Sequence, residues 1–145
     1  MNSDNGGLGQ VRGRVLGLDH GSRRVGIAVS DPLRITAQPL EVVARSRAVA
    51  RVAGLVAEYE VNEIVVGLPT SLQGGEGAAA VAARQFATEV ARATSINVTY
   101  IDERFTTAIA ERAMLAAGAK RQTRRESLDK VAAAIILQAF LDQPA

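Results

Sequence analysis

The chain has no cysteine, no tryptophan, a single histidine and only five tyrosines and phenylalanines in 145 residues. Without thiols, disulfides and thiolate metal sites are excluded, and a reducing compartment fits. So few aromatics give little support to a base-stacking platform for single-stranded nucleic acid. No apolar run approaches the roughly 20 residues of a membrane span. The first ten residues, MNSDNGGLGQ, lack the basic start and apolar centre of a secretory signal. The expectation is a cytoplasmic protein without a membrane partner, with residues 1–13 as a disordered tail and residues 14–145 as one domain. A chain of this length buries roughly 68–70 % of its unfolded surface, enough for a core without staples.

Charge of either sign is not in large excess. A formal net charge of +2 does not establish a nucleic-acid partner. The basic residues are grouped, however, at Arg12/Arg14, at Arg23/Arg24 and at Lys120, Arg121, Arg124 and Arg125. Such groups suit a phosphate backbone, and they also occur in ordinary solvated loops.

What is present is a succession of short apolar runs. Val15-Leu-Gly-Leu18 and Val25-Gly-Ile-Ala-Val29 flank a polar turn and read as a hairpin. The first run has no alternating polar residue, as in a strand covered on both faces. Pro39-Leu-Glu-Val-Val43 reads as a short third strand near an edge. Ser46 is a candidate N-cap for a helix with Val49, Val52, Ala53, Val56 and Tyr59 on one face. A buried strand follows over 63–68. The glycine-rich stretch 70–77 then leads into a helix with Ala79, Ala82, Ala83, Phe86, Val90 and Ala93 in a stripe. A glycine-rich loop at a helix N-terminus offers free N–H groups to anions, but this one matches neither the P-loop nor the dinucleotide fingerprint. A fifth strand spans 97–101. Thr106 and Thr107 are candidate caps for a helix ending at Gly118, a basic loop covers 120–125, and Ser127 opens a last helix. The predicted fold is α/β. An antiparallel meander of three strands is followed by parallel strands with right-handed crossovers, giving a mixed five-stranded sheet with helices on both faces.

Two acidic positions fall where such a sheet binds ligands, beyond the carboxyl ends of its parallel strands, and a third lies in the first turn of the last helix. Asp19 ends the first strand. Asp102 and Glu103 end the fifth, and alternation lets only one of them face the site. Asp129 continues the helical stripe of Ala132, Ala133, Ile136 and Phe140. Plainer roles exist for each. An Asp before Gly-Ser stabilises a turn, and an acid in a first helical turn complements the dipole by ~0.3–1 kcal/mol. Converging carboxylates would repel by about 4 kcal/mol per pair at 4 Å and an effective dielectric near 20. A divalent cation removes that conflict. All-oxygen donors with one histidine and no cysteine favour Mg²⁺ or Mn²⁺, two ions together suiting phosphodiester hydrolysis. His20 reads as a turn residue rather than a ligand.

The blocks Gly17-Leu-Asp-His-Gly-Ser-Arg-Arg-Val-Gly-Ile-Ala-Val-Ser-Asp31, Val66-Gly-Leu-Pro-Thr70 with Gly74-Gly-Glu-Gly77, Asp102-Glu-Arg-Phe-Thr-Thr107 and Asp129-Lys-Val-Ala-Ala-Ala-Ile-Ile-Leu-Gln138 together resemble the YqgF/RuvX family. The resemblance covers about residues 14 to 141, in the family's order. It implies an RNase H-like fold and a metal-dependent nuclease, with Asp19, Glu103 and Asp129 as catalytic, metal-holding acids and Asp102 in reserve. The substrate it implies is a pre-16S rRNA processed at its 5′ end, or alternatively a Holliday junction. Arg23, Arg24, Arg104, Lys120, Arg121, Arg124 and Arg125 are the expected contacts to the phosphate backbone. A junction resolvase needs two active sites and hence a dimer, so the chain is expected to be a monomer or a homodimer. A module that binds nucleic acid without cutting it is the non-enzymatic alternative. An actin-like ATPase, whose phosphate loop the Asp-x-Gly-Ser turn also resembles, needs two such lobes and more chain than this.

Overall fold

The computed structural model describes residues 12–69, 77–105 and 121–144, with side chains for 12–69, 77–104 and 129–144. The strands are β1 (Arg14–His20), β2 (Arg24–Ser30), β3 (Ala37–Ala44), β4 (Val61–Leu68) and β5 (Val98–Asp102). The helices are α1 (Arg45–Tyr59), α2 (Ala78–Thr94) and α3 (Arg121–Leu141), and one 3-10 turn spans Glu103–Phe105. The sheet order is β3-β2-β1-β4-β5. β1 pairs antiparallel with β2, and β2 with β3, while β1–β4 and β4–β5 are parallel. This is the expected meander followed by crossovers. The helix expected between Thr106 and Gly118, most of the glycine-rich stretch and most of the tail lie outside the described residues.

Alternation along each strand divides the sheet into two cores. Leu16, Leu18, Val25, Ile27, Val29, Ile64, Val66 and Leu68 face α1 and α2, meeting Ala48, Val52 and Leu55 of one and Ala80, Ala83, Phe86, Ala87 and Val90 of the other. On the opposite face Val15, Ala28, Val65 and Ile101 meet Ala132, Ala133, Ile136 and Leu137 of α3.

The second face admits α3 because it is lined with glycine. A Cβ on Gly26 would lie 2.0 Å from the Asp129 carbonyl oxygen, and one on Gly17 would lie 2.7 Å from the Leu137 Cβ. A Cβ on Gly67 would lie 2.6 Å from the Ile136 Cδ1. Three neighbouring strands thus each give up a side chain where the helix crosses. An isolated glycine within a strand pattern is the usual mark of such an approach.

Several local expectations are corrected. α3 begins at Arg121 rather than Ser127. The basic residues Arg121, Arg124 and Arg125 therefore sit on helical backbone, not in a loop. No glycine or proline interrupts 121–127, and Arg, Gln and Glu are good helix formers, so the helix runs through the apparent cap. α1 likewise starts one residue before Ser46, with Ala44 at its N-cap and no side-chain cap bond. In α2 the buried stripe is Ala80, Ala83, Ala87 and Val90 with Phe86, while Ala79 and Ala93 are exposed. Alanine fits either environment, so phasing a stripe on it is unsafe; Phe86 sets the phase.

The glycine contacts generate a paired test. Gly26→Ala meets main chain that cannot yield and is expected to destabilise by ~1–3 kcal/mol or more. Gly54→Ala in α1, where an added Cβ meets nothing within 4 Å, is expected to stabilise by ~0.8–1.0 kcal/mol. Urea denaturation of both variants measures the two signs.

Candidate active site

The register of the sheet centres the site on Asp19. Asp19 lies opposite Gly26 of β2, and Gly26 carries the Asp129 backbone on its outer face. On the other flank Leu18 pairs with Val66, so Gly67 is the neighbour one step further along β4. A Cβ placed on Gly67 would be 3.1 Å from a Glu103 carboxylate oxygen. Asp19 follows Val15 and Gly17 on the α3 face by alternation. The polymer thus brings Asp19, Glu103 and the backbone of Asp129 to one end of the sheet, on one side of it.

Asp19 and Glu103 are buried, at 9 % and 5 % exposure. Two carboxylates so enclosed are costly unless cations or hydrogen bonds meet them. The choice between Asp102 and Glu103 follows from strand parity. Ile101 packs toward α3 and Tyr100 toward α2, which directs Glu103 to the α3 side. Asp102 is instead folded back on its neighbour, accepting from the Arg104 backbone N–H at 2.9 Å and from the Arg104 guanidinium at 2.8 and 3.0 Å.

Asp129 lies eight residues into α3. A dipole role is therefore ruled out, since that effect fades within the first turn. Its carboxylate accepts a 2.7 Å hydrogen bond from the Arg24 Nε. Gly21, Ser22, Arg23, Arg24 and Asp129 line an open cleft of about 340 Å³. The floor of this cleft is the β1–β2 turn, closed by the Gly21 N–H donating to the Arg24 carbonyl at 2.9 Å. Arg23 is exposed at its rim.

Of the expected backbone contacts, Arg23 faces the cleft, Arg24 is held by Asp129 and Arg104 by Asp102. Lys120 lies outside the described residues, as do the side chains of Arg121, Arg124 and Arg125. Among the described residues no three acidic or histidine side chains are grouped as a ready-made cation cage. The donor set nonetheless fits a hard divalent ion. It is all oxygen, two carboxylates are buried, and the third is turned toward a guanidinium.

His20 points to the other face of the sheet. Its ring packs on Phe86 at 4.9 Å between centroids, and its Nε2 accepts from the Arg45 Nε at 2.9 Å. Arg45 also stacks over Phe86 at 4.6 Å and reaches Glu89 at 3.4 Å. No sequence pattern signals this cluster, because its members come from β1, α1 and α2.

The model of the family described as "RuvX: Holliday junction resolvase" matches residues 13–143. A protein of Agathobacter rectalis named "Putative pre-16S rRNA nuclease" is 44% identical over 135 residues, covering 89% of this chain and 94% of that one. One of the same name from Roseiflexus sp. is 45% identical over 133 residues, covering 90% and 94%. Among solved structures, Thermus thermophilus RuvC in complex with a Holliday junction substrate superposes with a TM-score of 0.57 at 20% identity, covering 88% of this chain and 92% of that one. That likeness establishes an RNase H-like fold. Among the described residues no helix is long and apolar enough to cross a membrane.

Burial, and secondarily the Arg45 guanidinium, hold the His20 imidazole below its ordinary pKa of 6.5, with Glu89 opposing. The neutral ring is the form that accepts from Arg45. A pKa lower in the folded state means that the unfolded chain binds the proton more readily. This cluster's stability is therefore present above pH 6.5 and lost as pH falls through the folded value. Denaturation at about pH 7.5 and about pH 5 is expected to show a loss in the wild type that is smaller in His20→Gln.

Proposed function

This chain belongs to the RuvX family, and we propose that it hydrolyses phosphodiester bonds in structured RNA, a precursor of 16S rRNA foremost, in the cytoplasm and with divalent cations. The reading is supported by the placement of Asp19, Glu103 and the Asp129 backbone at one end of the sheet over glycine-bared strands, with a cleft lined by Asp129 and Arg23 alongside. The relatives' shared name supports RNA as substrate.

Asp19, Glu103 and Asp129 are the residues that would hold Mg²⁺ or Mn²⁺, two ions on this reading. Such ions supply an activated water and offset charge on the leaving oxygen. Asp19 on β1 and Glu103 in the turn after β5, both buried, would present their carboxylates from the end of the sheet. Asp129 is positioned by α3. Arg23 and the basic first turns of α3 would bind backbone phosphates, a contact that weakens with salt. Asp102 and Arg104 satisfy each other and serve to shape the turn that carries Glu103.

The family's description as a Holliday junction resolvase favours a second reading, branched DNA. Symmetric junction cutting needs two active sites and so a dimer, whereas RNA trimming proceeds from one. A cleavage panel of pre-rRNA mimics, linear duplexes and four-way junctions, together with sizing in solution, separates the two.

A cation at 100 times its dissociation constant adds ~2.7 kcal/mol to stability. Mn²⁺ is therefore expected to raise the melting temperature of the wild type. Asp19→Asn is expected to abolish both that rise and cleavage, and EDTA is expected to abolish cleavage. Wild-type cleavage rates in Asp19→Asn contradict the assignment.

A further inference from the structure

Arg24, expected as a phosphate contact, is paired with Asp129. Its Nε lies 2.7 Å from the Asp129 Oδ2, with the two side chains 37% and 23% exposed. The main chain on either side of this pair is pinned. Arg24 opens β2, opposite Ala44 of β3, and its carbonyl closes the hairpin turn. The Asp129 carbonyl is pressed on Gly26. Separating the two backbones would lift α3 off the sheet. The Arg24 side chain, by contrast, stands at an open cleft of about 340 Å³ and has room to turn away from the carboxylate.

A guanidinium and a divalent cation make competing demands on one carboxylate, because each is bound through the same lone pairs and the two repel each other. We propose that Arg24 is a resident counter-ion for Asp129. It holds the carboxylate while no cation is bound, is displaced when one binds, and then takes a backbone phosphate in the cleft. Cation and nucleic acid are thereby coupled: each binds more tightly when the other is present, by the same factor. In this scheme Arg24 acts on the cation through Asp129, as a positioning residue with two alternating partners. The inference rests on the cation site under Proposed function, and its test is arranged to fail separately.

The test measures binding, not turnover. Titration calorimetry with Mn²⁺ alone is expected to give about tenfold tighter binding for Arg24→Gln than for the wild type. Arg23→Gln, which removes the same charge from the same cleft but not from Asp129, is expected to change Mn²⁺ affinity far less. With Ca²⁺ as a non-cleaving cation, a hairpin RNA is expected to bind the wild type about tenfold more tightly than in EDTA, and this gain should collapse in Arg24→Gln. The ¹⁵Nε resonance of Arg24 in the intact protein, which requires no substitution, is expected to shift on Mg²⁺ addition. Unchanged or weaker Mn²⁺ binding by Arg24→Gln overturns the proposal. So does an equal gain in Arg23→Gln, or an Arg24 resonance indifferent to Mg²⁺. If Asp19→Asn loses Mn²⁺ binding while Arg24→Gln gains none, only the Arg24 inference falls. If Asp19→Asn binds Mn²⁺ as the wild type does, the cation site itself falls.

Discussion

The contact on which this structure depends is backbone against backbone: the Asp129 carbonyl of α3 lies on Gly26 of β2. Because Gly26 is also the register partner of Asp19, the packing that buries α3 also sets the Asp129 backbone on the strand next to Asp19. Ala132, Ala133, Ile136 and Leu137 make the apolar part of that contact, and Gly17 and Gly67 remove the side chains that would hold the helix off. Site and core are thus one arrangement. A residue larger than glycine at these positions would cost stability and displace an acid in one step.

The rest of the fold separates duties by face. The α1/α2 face holds the larger core, with Phe86, Leu16, Leu18, Ile27 and Leu55, and it also takes His20 and Arg45 into a neutral, stacked cluster. The α3 face is thinner and carries the acids. Since β1, β4 and β5 are parallel, their carboxyl ends lie at the same end of the sheet, where Asp19 of β1 and Glu103 after β5 emerge with β4 between them. Elsewhere on the α3 face polar groups are spent on structure. Arg34 bridges Glu63, Asn62 and the Gly13 carbonyl, and Gln138 ties α3 to Ile35 and Ala37.

β1, β2 and the later part of β4 were readable as apolar runs with turn residues between them, and alternation alone put Glu103 rather than Asp102 on the face of Ile101. That Asp19 and Glu103 leave the sheet at the same end was arguable from topology. The start of α3 was misplaced because Ser127 has the character of a cap, which masked the run of good helix formers before it. The glycines of β1, β2 and β4 carried a signal, since glycine in a buried strand implies something close by. Which element came close was settled only by packing. Arg24 is the clearest case of what sequence cannot show. Its partner is 105 residues away, and nothing near it in the chain distinguishes it from its neighbour Arg23.

Crystals of the wild-type protein soaked in Mn²⁺ would decide the central claim through anomalous scattering. Manganese density is expected to be bounded by the carboxylates of Asp19, Glu103 and Asp129, at the sheet end where β1, β4 and β5 terminate. Density elsewhere on the molecule, with these three carboxylates untouched at saturating Mn²⁺, would contradict it.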